Sequence, residues 1–268
     1  MPRRSSKSDA PRRSSRSNIS NKYGWIPDLP DHRDIVYAGP AAPIILPPKI
    51  DLRSGCPAVY DQGSLGSCTA NAIGAAHQFN QIKQAPGKDF VPSRLFIYFN
   101  EREMEGTVSI DNGAQIRDGI KSVTDKGVCP ETPDWPYDIG RFAVKPSDEC
   151  YTHAMLHQIV LYQRITPVLS QMKTCLASGF PFVFGFSVYE SFESASVAKT
   201  GMMPMPKGRL LGGHAVMAVG YDDSMKRFIV RNSWSVGWGD KGDFYMPYAY
   251  ISNTNLCDDF WTIRNVEV

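Results

Sequence analysis

Cys68 is the residue around which the sequence offers chemistry. It follows Gln62-Gly63-Ser64-Leu65-Gly66-Ser67, and after it Ala72, Ala75, Ala76, Phe79 and Ile82 recur at three-to-four spacing. That spacing predicts one apolar face on a helix of about four turns. A cysteine at the amino end of a helix feels the partial positive charge of unpaired backbone N–H groups, which favours thiolate over thiol near neutral pH. The two glycines let backbone approach a ligand closely, and the Gln62 amide could donate to a developing oxyanion. A thiolate nucleophile also needs a proton acceptor. Of five histidines, His214 is the candidate, because it follows Gly212-Gly213 and opens the apolar run HAVMAVGY, which puts an imidazole at a strand end. Asn232, in RNSWSVGWGDKG, could orient that ring, with two tryptophans and three glycines making a rigid corner that excludes water.

The elements that must position these residues change character along the chain. Helical patterns occupy 93–104, 114–126 and 167–177, with Gly127 and Gly179 read as terminating caps. From 182 onwards the texture is that of short strands, at 182–188, 214–221, 228–232 and 244–246, bounded by turn residues. A helical first half and a sheet-rich second half predict an α+β fold of two unlike lobes with a cleft between them.

Composition narrows the class. With 29 basic and 27 acidic residues and 42% apolar content, the chain is neither globally disordered nor built to wrap nucleic acid. The longest apolar run, 179–188, is interrupted by Gly and Pro and is shorter than the roughly 20 residues of a membrane helix, so no membrane span is expected. The first residues are charged, but no apolar stretch follows. As written they do not form a secretory signal, which favours an intracellular or particle-enclosed setting.

Residues 1–22 carry a net +6 of the chain's +2, and PRRSSKS at 2–8 recurs as PRRSSRS at 11–17. This segment is expected to be a disordered tail, either a solvated leader or an arm for an anionic partner that phosphorylation at Ser6 or Ser15 would switch. Residues 23–48 are proline-rich and should run extended along a surface or groove. The folded domain is placed at 49–268.

Three blocks, DQGSLGSCTA (61–70), GGHAVMAVGY (212–221) and NSWSVGWGDKG (232–242), resemble the signature segments of the papain and cathepsin cysteine peptidases, in the right order. His214 and Asn232 lie 146 and 164 residues after Cys68. The resemblance spans about 49–268. It implies a papain-like fold in which a helical lobe and an antiparallel β-barrel-like lobe flank the active-site cleft. It also implies that Cys68 attacks the scissile carbonyl, that His214 pairs with it as an imidazolium, and that Asn232 orients the ring. Gln62 and the Cys68 N–H would form the oxyanion hole, and Trp234 would shield the His–Asn bond at the edge of the substrate site. Peptides or proteins would be the substrates, and no metal or cofactor is needed. His153 and His157, one helical turn apart, lack the glutamate of a zinc motif.

Departures from the family pattern are visible. Leu65 stands where a disulfide cysteine is usual, Thr69 and Asn71 replace Trp and Phe, and Ser235 replaces Gly. The substrate-strand segment keeps one glycine, Gly113, with Asn112 in the other place. Trp261, Thr262 and Ile263 resemble the floor of the main specificity pocket and imply an apolar or aromatic preference. The five remaining cysteines allow at most two bridges, and mostly reduced thiols are expected. Prosegments of the family run backwards through the cleft and are often shed at acidic pH. By resemblance, 23–48 would dock on the catalytic domain through Trp25, Ile26, Leu29 and Tyr37, making the chain a zymogen. No paired-histidine insertion that would block the cleft lies between 106 and 150, which favours an endopeptidase. The alternatives are a non-catalytic peptide-binding module, or an exopeptidase or acyl transferase using the same site.

Overall fold

In the computed structural model, which describes residues 23–39 and 45–268, the spacing after Ser67 forms helix α1 (Cys68–Gln84). It differs from the one-faced helix expected, since every residue from Cys68 to Gln81 is buried. Small residues on one side let it press against the sheet, and several of its polar side chains find partners inside the protein. The Asn80 amide, for instance, donates to Ile263 O at 3.1 Å. Helix α2 (Arg94–Glu105) starts where Ser93 Oγ accepts the Phe96 N–H and ends at Gly106, whose φ of 70° a glycine adopts without strain. Helix α3 (Ile116–Lys126) stops at Gly127.

Strand β1 (Lys49–Asp51) precedes these helices, and α4 (Asp148–Ala154) follows them. Then come β2 (Ile159–Arg164), α5 (Leu169–Ala177), β3 (Phe182–Tyr189), α6 (Ala195–Thr200), β4 (Leu210–Asp222), β5 (Arg227–Arg231), β6 (Asp243–Pro247), α7 (Tyr248–Ile251) and β7 (Cys257–Val266). The sheet is antiparallel in the order β2-β7-β3-β4-β5-β6, with β1 added to β4. Strands β2 and β7 are additional to the sequence reading. In β7 acids and an arginine break the apolar pattern, and in β2 the short run Ile159–Tyr162 is followed at once by Gln163 and Arg164 and is mostly not buried.

Because strand side chains alternate faces, the sheet serves two cores. Val183, Ala215, Met217, Trp261 and Ile263 face the helices with Ile73, Ile97 and Ile120. Phe182, Phe184, Phe186, Val216, Ala218 and Phe260 face inward to an aromatic core with Phe228 and Phe244. These are the two lobes of an α+β fold, and α1 lies along their junction. Leu65 is buried in the first core, so apolar packing occupies the position where the family pattern has a bridged cysteine. All six cysteines are unbridged.

The segment 23–39 is packed onto the domain. Its Tyr37 enters the aromatic core, and Tyr37 N–H and Ile35 O bond the backbone of Arg164 at 2.8 Å each. Trp25 and Ile26 are part-buried, whereas Leu29, expected as an anchor, is 71% exposed. Arg117 on α3 binds the Leu29 carbonyl, which holds the backbone and leaves the side chain outside. The tail 1–22, with its anticipated anionic partner, lies outside the described residues. Among the described residues no helix is long and apolar enough to cross a membrane, and no cluster of candidate metal ligands occurs.

Candidate active site

The first residue of α1 is Cys68, wholly buried at the junction of the lobes. Ser67, before it, leaves the helix end uncapped and turns its hydroxyl to Tyr137 OH at 2.6 Å. The Cys68 Sγ accepts the Ala215 N–H at 3.4 Å. Ala215 is the chain neighbour of His214 on β4, so this bond ties the sulfur to the backbone that carries the imidazole.

His214 Nε2 lies 2.8 Å from Asn232 Oδ1, just beyond β5. The same oxygen accepts the Ser233 N–H at 2.8 Å. Two donors on one amide oxygen fix the orientation of the amide, so Nε2 carries a proton and Nδ1 is the basic nitrogen of the neutral ring. Among the described residues Nδ1 is buried without a hydrogen-bond partner. Trp234 stacks on the imidazole with centroids 4.8 Å apart, and Phe186 meets it edge-on from the aromatic core. Gln62 is held from both ends: its amide donates to Leu65 O at 3.0 Å and accepts from Ser233 Oγ at 2.7 Å.

The residues that depart from the family pattern are wired into the helical lobe. Thr69 Oγ1 donates to Glu101 at 2.6 Å, and Asn71 accepts from Arg94 at 3.0 Å. Burial pushes the Glu101 carboxyl well up, against the Thr69 bond. Ser235 sits at φ 64°, the left-handed region that favours glycine.

The cleft is filled by the chain's own residues 23–26. Trp25 N–H donates to Gly213 O at 3.0 Å, Gly24 O accepts from Ala114 N–H at 2.8 Å, and Ile26 N–H donates to Ala114 O at 3.0 Å. The Gly24 N–H is directed at the Cys68 sulfur. Tyr23 closes over the histidine, its ring 6.3 Å from that of His214 and its hydroxyl on Glu193. Burial pushes the Cys68 thiol up to about 12, with the Ala215, Gly24 and Thr69 N–H groups opposing. Burial also pushes His214 down to about 4, with Asn232 opposing. While the leader covers the site, burial therefore disfavours the charged form of both groups and works against the ion pair that the resemblance implies. Excluding water from both groups is the physical cause.

Expected substrate-binding residues are redistributed. Asn112 is exposed. Gly113 spends its N–H on Tyr98 OH at 3.3 Å and turns at φ 85° beneath the Gly24 carbonyl, where a Cβ would overlap. The backbone offered to the cleft is that of Ala114, one residue later. Trp261 faces the leader, its indole donating to Asp28 at 2.9 Å. Thr262, next on the strand, points the other way and donates to Pro181 O at 3.0 Å inside the lobe. The alternation of β7 thus withdraws it from the cleft.

The family of papain cysteine proteases matches residues 46–259. The chain belongs to that family. This papain-family peptidase is 45% identical over 277 residues to an uncharacterized peptidase C1-like protein of Acanthamoeba polyphaga mimivirus, covering 93% of this chain and 89% of that one. Its fold superposes on xylellain, a cysteine protease from Xylella fastidiosa, with a TM-score of 0.83 at 48% identity, covering 91% of this chain and 96% of the other. ProCathepsin B S9 from Trypanosoma congolense shares the fold at 18% identity, with a TM-score of 0.70 over 91% of this chain and 86% of that one.

Proposed function

We propose that this papain-family peptidase cleaves internal peptide bonds with Cys68 as nucleophile, and that residues 23–39 hold the described form latent. The observation that carries the reading is the His214 arrangement. Asn232 takes Nε2, which leaves Nδ1 free in the pocket where the neighbouring Ala215 N–H holds the Cys68 sulfur. Once water and substrate replace the leader, desolvation is relieved and the proton moves from sulfur to Nδ1. The thiolate attacks the carbonyl carbon, and the oxyanion is met by the Gln62 amide and the Cys68 N–H. His214 then protonates the leaving amine, and water hydrolyses the thioester. Asn232 keeps the ring in register throughout, and Trp234 shields their bond.

Latency follows from how 23–26 are bound. The leader runs parallel to Ala114, accepting its N–H at Gly24 and returning an N–H from Ile26. It presents an N–H donor to the sulfur and turns the Gly24 carbonyl onto Ala114, so that carbonyl is not offered to the nucleophile.

The test is reaction with an epoxysuccinyl peptide after leader release, together with turnover of a fluorogenic peptide. One adduct per chain at Cys68 is expected, and Cys68→Ala should abolish the adduct and lower turnover by on the order of 10³-fold or more. A released chain that neither labels nor turns over would favour the peptide-binding module. Gln62→Ala should lower kcat by about 10²–10³-fold at unchanged labelling stoichiometry. A change in KM alone would remove Gln62 from the oxyanion hole.

A further inference from the structure

Arg94, the first residue of α2, is a buried cation beside the loop that leads into Cys68. Glu131 holds it as a fork, with Nε on Oε2 and Nη2 on Oε1 at 2.8 Å each. Tyr137 and Tyr60 cover the guanidinium, whose carbon lies 3.9 and 4.8 Å from their ring centroids. A guanidinium gripped in this way keeps one orientation. Its remaining nitrogen, Nη1, donates to Asp61 O and to Asn71 Oδ1 at 3.0 Å each.

From Asn71 the donors run on in one direction. The Asn71 amide donates to Ser67 Oγ at 3.0 Å. Ser67 Oγ and Tyr137 OH lie 2.6 Å apart, and Tyr137 OH donates to Gln62 O at 3.0 Å. A phenol has one proton, and with that proton given to Gln62 the Ser67 hydroxyl must donate to the Tyr137 oxygen. The series Arg94, Asn71, Ser67, Tyr137, Gln62 therefore starts at a cation, and each bond polarises the next. No member belongs to 23–39, so the series persists when the leader departs.

The series grips both groups that would meet the oxyanion. Ser67 O accepts the Asn71 N–H at 3.0 Å and the Asn71 amide at 2.9 Å, which fixes the plane of the peptide that carries the Cys68 N–H. Gln62 is held from the sheet lobe by Ser233, whose carbonyl accepts the Gln62 N–H at 2.9 Å and whose hydroxyl donates to Oε1. Tyr137 holds it from the helical lobe, where its ring packs against the first core. The family pattern has a disulfide cysteine at position 65 and a phenylalanine at position 71. Leu65 removes that covalent staple, and Asn71 inserts the amide through which Arg94 reaches Ser67.

We propose that Arg94 and Tyr137 are positioning residues, acting as one series that sets the Gln62 amide and the Cys68 N–H for the oxyanion in place of a bridge beside the nucleophile. This rests on the peptidase reading above. Catalysis by such donors depends on their being aimed before charge develops, so loosening the series costs the chemical step and leaves the sulfur itself as reactive as before.

The test compares two reactions of Cys68 in leader-released protein. Alkylation by iodoacetamide, followed on the peptide that carries Cys68, forms no oxyanion and reads the sulfur alone, whereas hydrolysis of a peptide amide needs the oxyanion donors too. Tyr137→Phe keeps the ring against Arg94 and removes the hydroxyl. Its kcat should fall about tenfold, the worth of one hydrogen bond, with KM and the alkylation rate unchanged. Arg94→Lys keeps the charge and loses the fork, so it should lower kcat in the same way. The double variant should be no slower than the slower single one, because a series broken once is already broken. Unchanged kcat in folded Tyr137→Phe, or a change in KM alone, would overturn the inference. Equal losses in alkylation and kcat would place the effect on the sulfur, and losses that multiply in the double variant would show two separate supports; either overturns it. Wild-type protein that alkylates at Cys68 and hydrolyses no peptide would overturn the peptidase reading itself, and the inference with it.

Discussion

Trp25→Ala in the otherwise intact chain is expected to raise the rate of Cys68 labelling and of peptide turnover by about 10²-fold. The indole is the largest side chain that the leader places in the cleft, and it supplies a hydrogen bond to buried Asp259. Truncating a large buried aromatic costs about 3–5 kcal/mol. The lower end applies because Trp25 is only part-buried, and each 1.4 kcal/mol shifts an equilibrium about tenfold. Two backbone bonds to Ala114 and one to Gly213 remain, and so does the anchorage of Tyr37 and of Asp34 on Arg117. The leader should therefore stay attached through its second half while its first half opens. Initial labelling rates on protein of verified intact mass check this. Rates equal to wild type in Trp25→Ala, alongside an active leader-cleaved form, would mean that the cleft is closed by something other than this side chain.

Raising the pH from 5 to 8 is expected to loosen the leader, the opposite of the acid-triggered release implied by the family. The group responsible is Asp28, whose side chain is wholly buried where the leader crosses β7. It faces Asp259 and Trp261 on β7, Arg117 on α3 and Arg164 on β2. Burial first, and the Asp259 charge second, push the Asp28 carboxyl up to about 7, against the Arg117 N–H, the Trp261 indole and the Arg117 charge. When the leader is released, Asp28 returns to water and to an ordinary carboxyl pKa of about 3.9. The docked state therefore binds more protons than the released one. Docking is strongest below the released pKa and weakens as the pH rises to about 7, after which it levels off.

The change is at most about tenfold per pH unit in that window, and 10- to 100-fold overall is the expected result once the two arginines share the charge. Asp28→Asn should hold the leader more tightly at pH 8 and flatten the profile. Because Cys68 and His214 titrate too, the readout is the ratio of labelling rates between wild type and Asp28→Asn across pH. A ratio that does not rise with pH, or wild-type protein that labels fastest at pH 5, would dismiss Asp28 as the sensor.

The pieces of the site were legible because each has a local cause. Cys68 at a helix start, His214 after two glycines and Asn232 beside Trp234 are short-range patterns, and helix and strand periods mark the elements that carry them. The helices at 93–104, 114–126 and 167–177 correspond to α2, α3 and α5 within one or two residues at most ends, since caps and apolar spacing act over a single turn. Strands β2 and β7 escaped because they are recognised only by their partners. CDDFWTIRNV carries two acids and an arginine whose partners come from the leader and β2. Gly113 lies in the loop that the leader pairs with, but its own N–H is taken by Tyr98 and the folded turn passes that pairing to Ala114.

The sequence by itself pointed to Cys68, His214 and Asn232 as candidate nucleophile, base and orienting amide, and to the α+β class, because residue types and their near neighbours carry those signals wherever the chain goes. Only the tertiary structure decided their present state. The upward push on the Cys68 thiol, the downward push on the His214 imidazole and a cleft occupied by Trp25 with its indole on buried Asp259 all arise where segments far apart in the chain exclude water from one another. Desolvation depends on every neighbour at once, so it exists only after the leader, α1, β4 and β7 have come together.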